Sequence, residues 1–248
     1  MTLSTAVNTN EILNRTAVEV GLAPVANPFA DQAQHFQQMR YLLQTAGEEL
    51  LMVHPWNWGI RSHSITTGGL GDSGDYPLPD DFLQMIDQTG WDRSRNVPLG
   101  GPVSAQDWTY LLGRNLASTT MYASFRLKEG AFSIFPQPPP PDINITFEYQ
   151  STNWASDGKT SPTYQDGVKT GSDVVLFDRT LITRYLKHKW LGAKGFDTTA
   201  SMAEFQAVLM SLTGKDKGAP VLNAGRRSMG MNYLDAWRNA PDTGYGGI

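Results

Sequence analysis

Residues 177–214 constrain the fold most, because they read as two amphipathic helices joined by a short turn. In the first, Leu181, Ile182, Tyr185, Leu186 and Trp190 recur at helical spacing and make one apolar stripe. Lys187, Lys189 and Lys194 gather toward its end, where the helix dipole favours cations, and Gly192 and Gly195 offer a left-handed stop. In the second, Ser201 stands three residues before Glu204, a capping-box spacing, and Met202, Phe205, Leu209 and Leu212 share one side. Gly214 follows as the expected terminator. So short a connection makes the helices antiparallel neighbours and predicts that they form the core on which the rest of the chain packs.

Two further helices are predicted upstream. Thr9 or Asn10 caps one that carries Ile12, Leu13, Ala17 and Val20 and stops at Gly21. A longer one runs from about Asp31 to His54 with Phe36, Met39, Leu43, Ala46, Leu50 and Val53 inward, and Pro55 ends it. Trp56 and Trp58 follow and wedge against the helices. A brief helix over 104–112 carries Ser104 and Asp107 as its capping signal.

Between the helical blocks the period changes from 3.6 to 2. Gly68, Gly69, Gly71 and Gly74 mark a loop that leads to the short apolar run Phe82 to Ile86. Met121, Ala123, Phe125 and Leu127 alternate with polar partners, Glu129-Gly130 turns the chain, and Phe132 and Ile134 return it. Pro138 to Pro141 form an extended link, after which Ile143, Ile145, Phe147 and Tyr149 make a third strand. Residues 151–172 read as a polar loop. The expected fold class is therefore α+β: a helical bundle of about four main helices (8–21, 31–54, 178–192 and 199–213) with a small antiparallel sheet inserted over 60–154. Residues 1–214 form one domain on this reading, and 215–248 an extended C-terminal arm.

Composition narrows the chemistry. Among 248 residues, 18% are charged and the formal net charge is −4, which argues against a general nucleic-acid binder. With no cysteine there are no disulfides, thiolate metal sites or thiol nucleophiles, as suits a reducing compartment. The N-terminus shows no signal peptide, and no apolar run approaches the roughly 20 residues that span a membrane.

No catalytic motif stands out. His35, His54, His63 and His188 lack metal-ligand spacing, although sequence cannot show whether they cluster in space. Asp72 and Asp75 with Asp80 and Asp81 suggest a Ca²⁺ loop, but without EF-hand spacing they read better as a turn with solvated acids. The glycines at 68–74 have no following Lys-Ser/Thr, and no Gly-x-Ser-x-Gly elbow occurs. Glu48-Glu49 and Asp80-Asp81 are paired carboxylates, yet adjacent helical residues point apart, so Glu48 and Glu49 are poor candidates for flanking a common glycosidic bond and read better as surface acids. Asn144-Ile145-Thr146 matches a glycosylation acceptor but lies inside a predicted strand. No cofactor and no metal is expected.

The tail differs from the rest. Tyr233, Leu234 and Trp237 share one helical face beside Arg226, Arg227 and Arg238, with Met229 and Met231 just before them. Buried aromatics beside arginine are typical of interface hot spots. Folding back on its own domain, disorder, and docking on another chain remain open for this tail.

Several stretches together resemble the head-to-tail adaptor (connector, or tubular tail) proteins of tailed bacteriophages. Glu11-Ile12-Leu13-Asn14-Arg15 through Val20, Gly21, Pro24 and Val25 is similar to their opening helix and its exit. Glu49-Leu50-Leu51 through His54-Pro55-Trp56-Asn57-Trp58 resembles the end of their second helix. Tyr76-Pro77-Leu78-Pro79-Asp80-Asp81-Phe82 resembles the start of a strand, and Phe147-Glu148-Tyr149 with Trp154 the closing one. In order, these cover about residues 8–214. The resemblance implies a homo-oligomeric ring, a dodecamer, between the portal protein and the tail nozzle or other tail proteins, assembled in the host cytoplasm and located in the virion at the head–tail junction. DNA passes through its lumen without sequence-specific binding, and no membrane is involved. It makes residues 215–248 the portal-docking arm, with Arg226, Arg227, Met229, Met231, Tyr233, Leu234 and Trp237 as the docking residues. Two other readings remain: a phage-associated peptidoglycan hydrolase using Glu48 or Asp81, and a carbohydrate-binding tail component using exposed tryptophans.

Overall fold

A computed structural model describes residues 7–113 and 123–216. It divides into two units: one from the described parts of Met1–Arg61, Asp81–Gln84 and Gln150–Ala219, the other from Ser62–Asp80 and Met85–Tyr149. Among the described residues there are five α-helices and twelve strands in three antiparallel sheets. The chain is α+β as expected, but a helical bundle with one small inserted sheet is not what forms.

In the first unit four helices pack with a sheet of their own. Helix α1 (Thr9–Glu19) is capped by Asn8, whose Oδ1 accepts from the Glu11 amide at 2.8 Å, rather than by Thr9 or Asn10. Helix α2 (Gln34–Val53) ends at His54, ahead of Pro55. Helix α4 (Arg179–Ala193) is capped by Asp178, and α5 spans Thr199–Asp216. The capping expected of Ser201 falls to Asp197, which accepts from the amide and hydroxyl of Thr199 at 2.9 and 2.7 Å. Ser201 instead is buried inside α5 and bonds His188. Gly214 lies within α5 and does not end it, and the left-handed residue after α4 is Gly195, at φ 75°.

Helix α4 is central. It packs against α1, α2 and α5, burying Leu181, Ile182, Leu186 and Trp190. Its basic side chains meet acids on other helices instead of its own C-terminal carbonyls: Lys189 reaches Glu49 of α2, while Lys187 and Arg184 reach Glu19 of α1 and Glu204 of α5. The core is closed by Trp154, fully buried against Gly47, where even a Cβ would stand 2.4 Å from the indole. Trp56, Trp58 and Trp154 surround Phe177 at 5.7, 5.0 and 6.2 Å between ring centroids.

The sheet of this unit corrects the sequence reading most. Strands β1 (Val7–Asn8), β12 (Val174–Val175), β10 (Ala155–Ser156) and β11 (Tyr164–Gln165) lie in that spatial order, with Val7 opposite Val175. Three of them are in or beside the stretch read as a polar loop. Two-residue strands carry no alternation to detect, so their pairing partners, distant in sequence, decide them.

Asp173, just before β12, is buried, and its carbonyl accepts from the amide and hydroxyl of Thr9 at 2.8 and 2.9 Å. Burial alone would raise its carboxyl. The Thr170 hydroxyl, the amides of Lys169 and Thr170 and the Gln165 side chain outweigh that and hold it below the ordinary aspartate range. A carboxyl lowered in the folded state stabilises above its unfolded value of about 4, and that contribution is lost as pH falls through the lower folded value. Asp173→Asn should therefore cost about 1–3 kcal/mol at pH 7, by leaving donors poorly satisfied. Denaturant midpoints measured between neutral and acid pH should fall less steeply for the variant than for the parent.

The second unit holds most of two sheets. Strands β7 (Ser124–Lys128) and β8 (Ala131–Phe135) form the expected hairpin, and its turn residues Glu129 and Gly130 both have positive φ, 52° and 74°. β3 (Asp75–Pro77) pairs with the other side of β8. The expected third strand, β9 (Asn144–Ser151), belongs to a different sheet, between β2 (Ile60–Thr66) and β5 (Trp91–Asp92), with β6 (Val97–Pro98) beyond and β4 (Phe82–Met85) also on β9. Thus the strands predicted as one small sheet are split between two. Helix α3 (Ala105–Gly113) begins at a Ser104 cap that accepts from the Asp107 amide at 3.1 Å.

Candidate functional site

The C-terminal end of α5 is held by a polar clasp. Asp216 Oδ2 accepts from His54 Nε2 at 2.9 Å and from the Asn57 amide at 3.1 Å, and the Asn57 side-chain amide donates to the Asp216 carbonyl. The His54 ring is 5% exposed and stands edge-on to Trp56, 5.0 Å between centroids. The Trp56 indole N–H in turn donates to the Leu50 carbonyl at 2.8 Å. Pro55 forces the chain out of α2 at this point, which turns His54 and Asn57 toward the end of α5. The residue from which the C-terminal segment departs is therefore fixed to the end of α2. Nothing in the sequence announces this, because the partners are 159 and 162 positions apart.

The carboxylates considered for catalysis are engaged separately. Glu48 is exposed and accepts from Gln44 at 2.9 Å. Glu49 accepts from Lys189 Nζ at 2.7 Å and from the Tyr185 hydroxyl. Burial pushes the Glu49 carboxyl up, but these two partners overcome it and hold it low, while burial and then Glu49 push the Tyr185 hydroxyl far above its ordinary value. Asp81 accepts from Ser151 Oγ at 2.6 Å and Asn153 Nδ2 at 3.3 Å, with Arg61 at 3.5 Å. Glu49 and Asp81 each tie neighbouring elements together, whereas Glu48 bonds only within α2, so Glu48 and Glu49 are engaged apart.

Asp72 organises its glycine loop by accepting from the amides of Gly68 and Gly74 at 2.6 and 3.0 Å and from the Tyr76 hydroxyl. The Tyr76 bond, then the two amides, hold its carboxyl below the usual range. Both of its oxygens are thus occupied by protein donors. The histidines are apart: His35 lies on Phe36, His63 on Phe147, His188 on Ser201 and His54 on Asp216. Among the described residues no three acidic or histidine side chains are grouped as a metal ion would need.

A groove of about 360 Å³ opens on the β9 sheet between Gln88, Trp91, Arg93 and Glu148. Arg93 donates to Thr146 Oγ1 at 2.8 Å, and its guanidinium lies 5.7 Å from the Trp91 ring centroid. A sugar stacking on that indole face would first have to displace the cation.

The residues expected to dock, Arg226, Arg227, Met229, Met231, Tyr233, Leu234 and Trp237, like the strand start expected at Met121, lie outside the described residues. Among the described residues no helix is long and apolar enough to cross a membrane. In comparisons with known proteins, the chain matches no family model and no curated protein sequence.

Proposed function

We propose that this protein is a head-to-tail adaptor of a tailed bacteriophage, forming a ring on the portal through which DNA passes. The observation that carries the reading is the clasp of His54 and Asn57 on Asp216. It fixes the root of a C-terminal segment whose sequence carries Tyr233, Leu234 and Trp237 at helical spacing. A fixed root and an aromatic, arginine-flanked segment suit a docking arm, since less freedom is lost when only the segment beyond the root must be ordered on its partner.

The elements bearing the likeness are also locally built. Asn14 clamps the chain after α1 by donating to the Val25 carbonyl at 2.8 Å and accepting from the Val25 amide at 3.0 Å. The net charge of −4 suits a lumen that passes DNA without holding its phosphates.

The test is truncation after Asp216, which keeps the clasp. The shortened protein should retain its far-UV circular dichroism and melting profile but lose binding to purified portal rings in a pull-down or by interferometry. Portal binding that survives the truncation would refute the docking-arm reading.

A further inference from the structure

The groove on the β9 sheet holds one charge of each sign, and all of its lining residues belong to the second unit. Side chains alternate across a strand: Ile145, Phe147 and Tyr149 of β9 are buried, while Thr146 and Glu148 take the outer face. Trp91 stands opposite Thr146 across the strand pair and shares that face, so these two make the middle of the groove. Arg93 comes two positions later, with its amide on the Asn144 carbonyl at 2.7 Å, and its side chain turns back to Thr146 and Trp91. Glu148 lies on the other side of Thr146, about 7 Å further along the strand.

The Glu148 end is shaped by a break in the neighbouring strand. Between β4 and β5, residues 86–90 leave the ladder but remain tied to β9 at one position. The Ile86 amide donates to the Glu148 carbonyl at 2.9 Å. The Thr89 hydroxyl accepts from the Glu148 amide at 3.1 Å and donates to the Ile86 carbonyl at 2.6 Å. This turn holds Gln88 at φ 61°, a left-handed conformation that a non-glycine residue keeps only where its surroundings impose it, and sets its exposed side chain at the groove.

Arg93 and Glu148 line one groove and yet do not pair. Among the described residues, Nη1 and Nη2 of Arg93 meet no acceptor and the Glu148 carboxylate meets no donor. A simple anion drawn to Arg93 would be repelled by Glu148, and a simple cation drawn to Glu148 would be repelled by Arg93. A ligand that carries both signs engages both.

We propose that this groove binds a free neutral α-amino acid, its carboxylate on the outer edge of Arg93, its ammonium on Glu148 and its side chain beside Trp91 and Gln88. Charges so close call for a compact zwitterion, and about 360 Å³ is at the small end of ligand pockets, room for a single amino acid. Thr146 and the Trp91 ring hold the guanidinium in place beforehand, so little freedom is lost when its outer edge takes up a carboxylate. The site is independent of the C-terminal segment and of portal binding.

Isothermal titration of the full chain with L-alanine, L-leucine, L-glutamine and L-phenylalanine tests the proposal. At least one should bind saturably at millimolar concentration or below. Its N-acetyl and carboxamide derivatives, each lacking one of the two charges, should bind at least tenfold more weakly. Arg93→Gln and Glu148→Gln should each weaken the amino acid at least tenfold, the scale of a lost charge-assisted hydrogen bond, and leave the melting profile unchanged because both side chains are exposed. Glu148→Gln should also narrow the gap between the amino acid and its N-acetyl form, an effect that damage to the fold would not produce. Binding of none of the four would overturn the proposal, as would binding that survives both substitutions. An N-acetyl derivative that binds the parent as well as the amino acid does would overturn it too, since Arg93 would then be an anion site by itself.

Discussion

Trp154→Ala should destabilise the protein by about 3–5 kcal/mol, read as a lowered denaturant midpoint of the circular dichroism transition. The side chain is fully buried, and its ring lies on Gly47 of α2 and beside Phe177. Loss of a large core residue removes its transfer free energy and leaves a cavity, and the cost rises when the surroundings cannot collapse. Here they cannot: the facing residue is a glycine with no side chain to move inward, and the backbone of a twenty-residue helix holds it in place. Trp154→Phe should cost much less. The indole N–H has no hydrogen-bond partner, so replacing it with a phenyl edge removes a buried unsatisfied donor while keeping most of the apolar contact.

Phe132→Ala should have a comparable effect, about 3–5 kcal/mol, and for a different reason. Phe132 is the middle ring of three. It lies nearly parallel to Phe125 at 4.8 Å and to Phe147 at 4.9 Å between centroids, with interplanar angles of 7° and 3°. Phe125 belongs to the neighbouring strand of the same hairpin, and Phe147 to β9 of another sheet. Removing the middle ring breaks two aromatic contacts worth about 0.5–1.5 kcal/mol each beyond their buried area, and these contacts join the two sheets. Phe132→Leu, which retains volume without the flat face, should fall between the alanine variant and the parent. An alanine variant with an unchanged denaturant midpoint would mean that the rings do not carry this part of the core.

The sequence made some of this architecture readable and hid the rest. Four helices were legible from apolar residues at helical spacing and clear punctuation: Pro55 after α2, Gly21 and Gly195 after α1 and α4, and Ser104 before α3; α5 showed the spacing, but its expected signals, Ser201 and Gly214, both lie inside it. The β7–β8 hairpin was legible from alternation and from Glu129-Gly130. Caps were read less well, because Asn8, Thr9 and Asn10 are all competent and only packing decides among them; the Thr9 side chain is taken by Asp173. Strand partners were not legible. Alternation tells that Phe147 lies in a strand but not which sheet receives it, and β1, β10, β11 and β12 are too short to alternate at all.

For the candidate site the same division holds. Asp216 and His54 have no local signal for each other, so the clasp emerges only with the fold.

The helical unit is assembled from both ends of the chain, with Val7 paired to Val175 and His54 to Asp216, while residues 62–80 and 85–149 belong to the other unit. During synthesis the intervening strands therefore leave the ribosome before the N-terminal helices have their partners. Helices α1 and α2 must wait, with the faces that α4 covers open, until α4 arrives 126 positions after α2 ends (residue 53 to residue 179). In a Cys-free chain no covalent bond can hold this early stretch meanwhile, which makes the newborn polypeptide a natural client for chaperones that shield apolar helices.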